Sequence, residues 1–423
     1  MIISQLFGPK NQLPAPPAAV VPQTTHSMYN PFGQRTVSGK RVSAETAKKI
    51  ATAYRCGNIL SDDIASMPFQ VFQKIGKKIE QVSPDVITRN TSYLMEIQPN
   101  RWMTPFIFKK TAILWLLYWG NSYIWEPAGN FREFFILPAD RTYPVFDESG
   151  NLWYKTFFPS GKEETIPWVE ITHLMINSTD GVSGRSVLTY AAETMGRQLG
   201  AHETQNRING NGLNPAGIIW VEGEIADPKA RKKLKDEYMK EIYGSENAGG
   251  IAVFDDTIGK FEKVTMNPTD AQFLESIEAT DSEIANFFGM PLYKLNMGKQ
   301  SYQSNEQQNL DYLRTTLNPY LVQWEQVARI RWIKAQQQNY TYMRFVRDAI
   351  LQTDAKTRSE ITRNRILSGQ LTPNQALQIE DMSPYDGGDR HYFPSNMAVI
   401  EDDGSLVAAT GAGQQITLNG GVS

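Results

Sequence analysis

Between Tyr123 and Ile176 the chain changes its hydrophobic period, and no all-helical or all-strand fold accommodates that change. The segments YIWEP, FREFFILP, TYPVF, NLWYKTFF, EETIPW and ITHLMI read as short strands, several of them separated by the turn formers PAGN, DESGN and PSGK. On either side the period is helical. Residues 104–119 read as a buried helix, and helical patterns follow over 184–209, 269–288 and from Ser304 to about 337. The sequence therefore predicts a mixed α+β chain in which a strand-rich region sits among helices.

Other segments are assigned in the same way. Residues 1–42, with QLPAPPAAVVPQ, read as a flexible arm, and 397–423 as a flexible tail. A helical stripe runs from Ser43 to Ser66, and PFQVFQK-IGK-KIEQV reads as a hairpin. Residues 217–266 predict a compact α/β insert with strands GIIWVEG, GGIAVFDD and KFEKVTM around a charged helix at 227–243. Ser304 and Gln307 have capping-box spacing, Pro319 predicts a kink, and helical segments are expected over about 342–380.

Composition excludes several classes. At 423 residues and 41% hydrophobic, the chain can bury a large core. Its formal charge of −3 is not that of a general nucleic-acid binder, so any DNA contact must be local or non-adhesive. Cys56 is the only cysteine, which rules out an intrachain disulfide and a cysteine zinc site and fits synthesis in a reducing cytoplasm. No signal-peptide pattern is read at the N-terminus. The apolar run TAILWLLYWG is about half the ~20 residues of a membrane span, so no membrane partner is expected.

Catalytic patterns are missing too. His26, His173, His202 and His391 have no ligand spacing among them, and HETQN lacks the second histidine of a zinc helix. GKQS at 298–301 lacks the earlier glycine of a phosphate loop, and GNGLNPAG has Pro215 where a dinucleotide fingerprint needs glycine. No serine lies in a G-x-S-x-G elbow. The adjacent pairs Asp62–Asp63, Asp255–Asp256 and Asp402–Asp403 read as solvated turn residues. No enzyme activity, metal or cofactor is expected.

Charge segregation is more informative. TDAQFLESIEATDSEIANFF carries Asp270, Glu275, Glu278, Asp281 and Glu283 with no Lys or Arg, along roughly 30 Å of helix. The pattern stops at Gly289–Met290–Pro291, and the sign then reverses at Lys294 and Lys299. A second basic cluster, Lys229, Arg231, Lys232, Lys233 and Lys235, opens the charged helix of the insert.

The order of these segments resembles the portal protein family of tailed double-stranded DNA bacteriophages. The resemblance is carried by SMPFQVFQ, YLMEIQPNRWMTPFIFKK, LLYWGNSYIW, FFILPADRTYPVFDESGNLWY and GVSGRSVL, the last with Val187 in place of the usual proline. It continues through NGNGLNPAGIIWVEG, YGSENAGGIAVFDD, NPTDAQFLES, EIANFFGMPLYKL, LRTTLNPYLVQWE and LSGQLTPNQALQIEDMSPYDGGDRHYFPSN, covering about 45–396.

That resemblance implies a ring, usually of twelve copies, at one capsid vertex. It implies a wing at 43–183 with the long helix 304–340, stem helices at 184–212 and 269–288, a clip at 213–268, a tunnel loop at 289–303 and a helical crown at 341–396. Expected partners are other copies of the chain, the passing double-stranded DNA, the major capsid protein, the terminase large subunit and a head–tail adaptor. The expected location is the virion. Another head–tail connector ring is the alternative; a packaging ATPase or nuclease would need a Walker loop or clustered carboxylates.

On this reading Glu275, Glu278, Asp281 and Glu283 line the tunnel, some of them pairing instead with neighbouring subunits through Arg185, Arg197 or Arg207 of the other stem helix. Leu292, Tyr293, Lys294, Leu295, Met297 and Lys299 form the loop that meets DNA, with Gly289, Pro291, Gly298 and Ser304 as hinges and caps. The cluster Lys229, Arg231, Lys232, Lys233 and Lys235 docks a partner at the clip.

Overall fold

The computed structural model describes residues 33–76, 78–128, 132–158, 160–210, 217–221, 258–263, 270–297, 305–347, 355–380, 382–391, 398–400 and 406–408, with single positions between 228 and 236. They fall into two units, residues 1–349 and 350–423.

In the first unit, β1 (Gln34–Arg35) and β2 (Arg41–Val42) pair as a short antiparallel ribbon. Ser43 and Thr46 form a reciprocal capping box that starts α1 (Ala44–Ala47). The next helix, α2 (Ala51–Ser66), turns Cys56, Leu60 and Ile64 into the core. Strands β3 (Phe69–Ile75) and β4 (Lys78–Gln81) form the expected hairpin, and α3 (Thr91–Glu96) follows.

Helix α4 (Pro105–Trp119) begins at a Thr104 cap with proline in its first turn and ends at Gly120, φ +79°. It lies very close to α2. A Cβ on Gly57 would meet the Tyr118 hydroxyl at 2.4 Å, so glycine is what permits that approach.

Six strands occupy the period-two region: β5 (Asn121–Trp125), β6 (Phe135–Leu137), β7 (Thr142–Phe146), β8 (Leu152–Phe157), β9 (Glu163–Pro167) and β10 (Ile171–Met175). They form two antiparallel sheets, ordered β10-β5-β6 and β7-β8-β9. Tyr123, Leu137, Tyr154, Ile166 and Ile171 meet in a common core under Trp115, Trp119 and Trp125.

Then come α5 (Val187–Gly210), the antiparallel pair β11 (Gly217–Val221) and β12 (Ile258–Lys263), α6 (Asp270–Phe287) and α7 (Asn305–Tyr312). The predicted strand at 249–256 and most of the predicted helix at 227–243 lie outside the described residues. A π turn at Leu313–Leu317 leads into α8 (Asn318–Trp332). The expected kink is therefore a widened turn just before Pro319, whose ring and missing N–H disfavour a regular turn there.

Three expectations are corrected. Residues 33–42 are not a free arm: the Val37 amide donates to Glu193 on α5 at 3.1 Å, Lys40 pairs with Glu203, and Thr36 packs on Gly196. Residues 341–345 do not open a helical crown but form β13 (Thr341–Phe345), paired with β3 from Phe345↔Phe69 to Thr341↔Gln73. Thr341, Met343 and Phe345 are buried while Arg344 between them is exposed, so the period there is two. Phe345 lies 4.4 Å from Phe69 and 5.8 Å from Trp324, between ring centroids. Finally, α8 stops at Trp332, because Ile333 is already extended.

The second unit contains α9 (Ala355–Leu367) and α10 (Pro373–Ile379), the latter opened by a Thr372/Gln375 capping box. Asn374 ties this helix to the chain after it, donating to the Tyr385 carbonyl at 3.0 Å and accepting from its amide at 3.0 Å. Inside the predicted tail, β14 (Ala398–Ile400) pairs with β15 (Leu406–Ala408).

Candidate functional site

The acidic helix α6 lies against α2 and α5. Asp281 accepts hydrogen bonds from the Thr52 hydroxyl on α2 and, at 2.7 Å, from the Gln198 amide on α5. Glu283 accepts from the Arg197 guanidinium at 2.6 Å and from the Thr194 hydroxyl at 3.2 Å. These two carboxylates hold the helices of their own subunit together. Burial first, and then Asp281, pushes the nearby Cys56 thiol up to about 12, so it stays protonated and inert. Glu278 is exposed; the side chain of Glu275 lies outside the described ones.

The break at Gly289–Met290–Pro291 is a Schellman ending. The Met290 amide donates to Ala285 and the Gly289 amide to Asn286, each at 2.9 Å, with Gly289 at φ +64°. Met290 is buried behind it. The Gly289 carbonyl accepts from the Thr316 hydroxyl at 2.6 Å, which docks the π turn on the end of α6.

After Pro291 the chain makes one 3-10 turn, Leu292–Leu295, closed by Asn296 at φ +58°. Here the structure narrows the sequence reading. Leu295 is buried. Lys294 lies 4.6 Å from the Tyr312 ring centroid and 3.5 Å from Asp63, while its carbonyl accepts from Arg55 at 3.3 Å. Tyr293 donates to the Gln308 carbonyl at 2.8 Å. Burial, and then Asp311 and Asp63, lifts that phenol to about 12. Residues 292–295 thus pack on α2 and α7. Gly298, Lys299 and Ser304 lie outside the described residues, as do Arg231 and Lys235. Lys229, Lys232 and Lys233 are exposed.

A second polar cluster joins the strand region to the start of α5. Asn121 donates to the Gly184 carbonyl at 3.0 Å and accepts from the Gly184 amide at 2.7 Å. Its Oδ1 also faces His173 Nε2 at 2.9 Å. That acceptor places the imidazole proton on Nε2, so Nδ1 accepts from the Tyr154 hydroxyl, 3.2 Å away. Burial, reinforced by Arg331 and opposed by Asp180, drives the His173 pKa down to about 3. Ser186 donates to the Tyr118 carbonyl at 2.7 Å and accepts from the Leu188 amide at 3.0 Å, joining the end of α4 to the start of α5. The sequence reading passed over His173 because an isolated histidine carries no ligand spacing. Its one signal was its place in the strand ITHLMI, where a polar side chain enters a buried sheet.

Among the described residues no three His, Cys, Asp or Glu side chains converge as metal ligands, and no helix is long and apolar enough to cross a membrane.

Comparison with known proteins agrees with this architecture. The family model described as phage portal protein matches residues 51–381. The portal protein of Enterobacteria phage HK97 is 24% identical over 388 residues, covering 90% of this chain and 88% of the relative. The probable portal protein of Streptomyces phage phiC31 is 24% identical over 396 residues, with 89% and 84% covered. Among solved structures, the neck of an empty GTA particle aligns with TM-score 0.54 at 20% identity, covering 84% of this chain and 97% of that one. A chain from the neck of the native GTA particle, computed with twelvefold symmetry, gives TM-score 0.52 at 20% identity, with 84% and 95% covered. An HK97-family portal protein from Corynebacterium diphtheriae gives 0.52 at 15% identity, with 72% and 95% covered. The solved structures share the fold, and the family match spans the strand region, both long helices and α10; the chain belongs to the phage portal protein family.

Proposed function

We propose that copies of this chain form the ring at one vertex of a tailed-phage capsid, through which double-stranded DNA is packaged and later ejected. The ring is a structural part of the virion, with no catalysis of its own, assembled in the cytoplasm of the bacterial host. Twelve copies is the number in best accord with the twelvefold neck of the structural relative. The major capsid protein, the terminase large subunit and a head–tail adaptor are its partners, the last two binding at the clip, where the basic cluster Lys229, Arg231, Lys232, Lys233 and Lys235 docks an acidic patch on one of them.

Within that ring α5 and α6 are the stem, 213–268 the clip and 289–303 the tunnel loop. The crown starts after residue 349, since β13 completes a sheet of the first unit. The observation that carries the DNA-conduit reading is the acidic helix α6, ended at Gly289 and followed by a segment of opposite charge. Duplex DNA carries one negative charge per ~1.7 Å, and matching many of these with cations would bind it too tightly to move. An acidic wall avoids that. Asp281 and Glu283 are held within the subunit, so Glu278, with Glu275 retained on sequence grounds, supplies the wall. Lys294 is likewise held by Asp63 and Tyr312, which leaves Lys299 as the phosphate contact of the loop.

Mass measurement of the purified assembly, with negative-stain images, tests the ring; a monomer under all conditions would refute it. Lys299→Ala should reduce retention of packaged DNA while Lys294→Ala leaves it unchanged, and equal effects would reject the division of labour. Purified protein should not hydrolyse ATP.

A further inference from the structure

The sheet ordered β13-β3-β4 has two faces that differ in kind. On one of them Phe69, Val71, Met343 and Phe345 are buried, and Trp324 and Trp332 of α8 pack on Phe69. A helix covers that side, the ordinary way to bury a sheet face. The alternate positions, Phe72 and Lys74 of β3 and Tyr342 and Arg344 of β13, point the other way. There Ile79 of β4 is 58% exposed, Lys74 and Arg344 are exposed, and Phe72 and Tyr342 are half-buried. An antiparallel sheet that faces water normally alternates to polar residues on that side. This one sets a stacked aromatic pair at its centre, Phe72 and Tyr342, with ring centroids 5.7 Å apart.

The charges that these strands place on the aromatic face have one sign. Arg344 stands opposite Gln70 and Lys74 opposite Ile79, so the two cations bracket the aromatic pair, roughly 13 Å apart along the strands. Arg344 is drawn over the Phe72 ring, 4.4 Å from its centroid, which shortens that span. Among the described residues neither cation has an ion-pair partner. Glu80 stands opposite Gln73 and so faces the other way. Glu96, which accepts from the Gln81 amide at 3.3 Å, lies at the β4 edge. A cation at each end with apolar surface between them is complementary to a carboxylate at each end with apolar surface between them. On a helix, positions i and i+7 are about 10.5 Å apart and share a face with i+3 and i+4.

We propose that this face binds an acidic amphipathic helix of another protein. Two carboxylates, two turns apart, meet Arg344 and Lys74, and the apolar residues between them rest on Phe72, Tyr342 and Ile79. The acidic helix of this chain, α6, is already engaged with α2 and α5 through Asp281 and Glu283, so it is not the occupant. Duplex DNA would satisfy the two cations but would set its phosphates and sugars against the aromatic pair, a poorer match. The site lies within one subunit and uses no residue of α5, α6 or 289–303, so it stands independently of the ring reading.

The test uses the full chain and a fluorescein-labelled helical peptide with the spacing Glu-x-x-Leu-Leu-x-x-Glu, read by fluorescence anisotropy at low salt. A control peptide carries lysine at both glutamate positions. The acidic peptide should bind saturably with a Kd below about 100 µM and the control should not. Lys74→Ala and Arg344→Ala, both at exposed positions, should each weaken binding about fivefold or more and flatten its salt dependence. Ile79→Ser should weaken it without changing the salt dependence. Lys74→Glu combined with Arg344→Glu should abolish binding of the acidic peptide and confer binding of the control; if that variant misfolds, the two alanine variants decide. No saturable binding, or equal affinity for both peptides, overturns the proposal. Duplex DNA that displaces the peptide and loses affinity in the same alanine variants would assign the face to nucleic acid and reject it. Binding to dissociated subunits but not to the assembled ring would make a second copy the occupant, and rejects it too, while leaving the ring reading intact.

Discussion

Arg197 on α5 donates to Glu283 on α6 at 2.6 Å, while its neighbour in sequence, Gln198, donates to Asp281 at 2.7 Å. The two contacts differ in environment, and the difference can be measured. Arg197 and Glu283 are half exposed, so Arg197→Ala should lower stability by less than about 1 kcal/mol, and less still at high salt. Asp281→Ala removes the acceptor shared by Thr52 and the buried Gln198, and should cost about 2–3 kcal/mol. Urea unfolding of the two variants at low and high salt checks the ranking.

Gly184→Ala should prevent proper folding of the junction between the strand region and α5. A Cβ there would lie 2.0 Å from the Gly120 carbonyl oxygen and 2.7 Å from that of Ile176. Both obstacles are backbone and cannot rotate away, so a loss above about 3 kcal/mol, seen as insolubility or a lower melting temperature, is expected.

His173 makes the protein sensitive to acid. Folded, its imidazole stays neutral down to about pH 3, whereas the unfolded side chain takes up a proton below about 6.5. Stability from this group is complete above pH 6.5 and is lost as pH falls toward 3. By roughly pH 4.5 the loss is about 2–3 kcal/mol. His173→Gln should be less stable at neutral pH but should not show this added decline; parallel acid titration curves for the two proteins would contradict it.

Lys109 acts at the other end of the scale. It is buried, with its amine donating to the Met67 carbonyl at the end of α2, and desolvation lowers its pKa to about 8. Between pH 8 and the ordinary lysine value of 10.5 the unfolded chain is protonated and the folded one is not. Relative to Lys109→Met, the wild type should therefore gain about 2 kcal/mol between pH 8 and roughly pH 9.5. Denaturant midpoints at two pH values suffice.

Much of the fold was legible in the residues because it rests on local periodicity. The six strands from Asn121 to Met175, the stop at Gly289 and the Pro319 irregularity all follow from alternation, turn formers and backbone limits. The errors came where distant segments choose the outcome. TYMRF is too short to declare itself, and it becomes a strand because Phe69 and Trp324 offer a buried edge. Residues 33–42 look like linker until Glu193 and Gly196 of α5 supply partners.

The sequence by itself determined the charge pattern: an acidic helix, a glycine-proline break and a basic segment after it. Charge sign and helix termination are properties of consecutive residues, so no fold is needed to see them. Only the tertiary structure decided which charges remain available. Asp281 and Glu283 are taken up by α2 and α5, and Lys294 by Asp63, because packing brings residues more than eighty positions apart into polar contact. A carboxylate that already has a partner in its own subunit no longer offers its full charge to DNA.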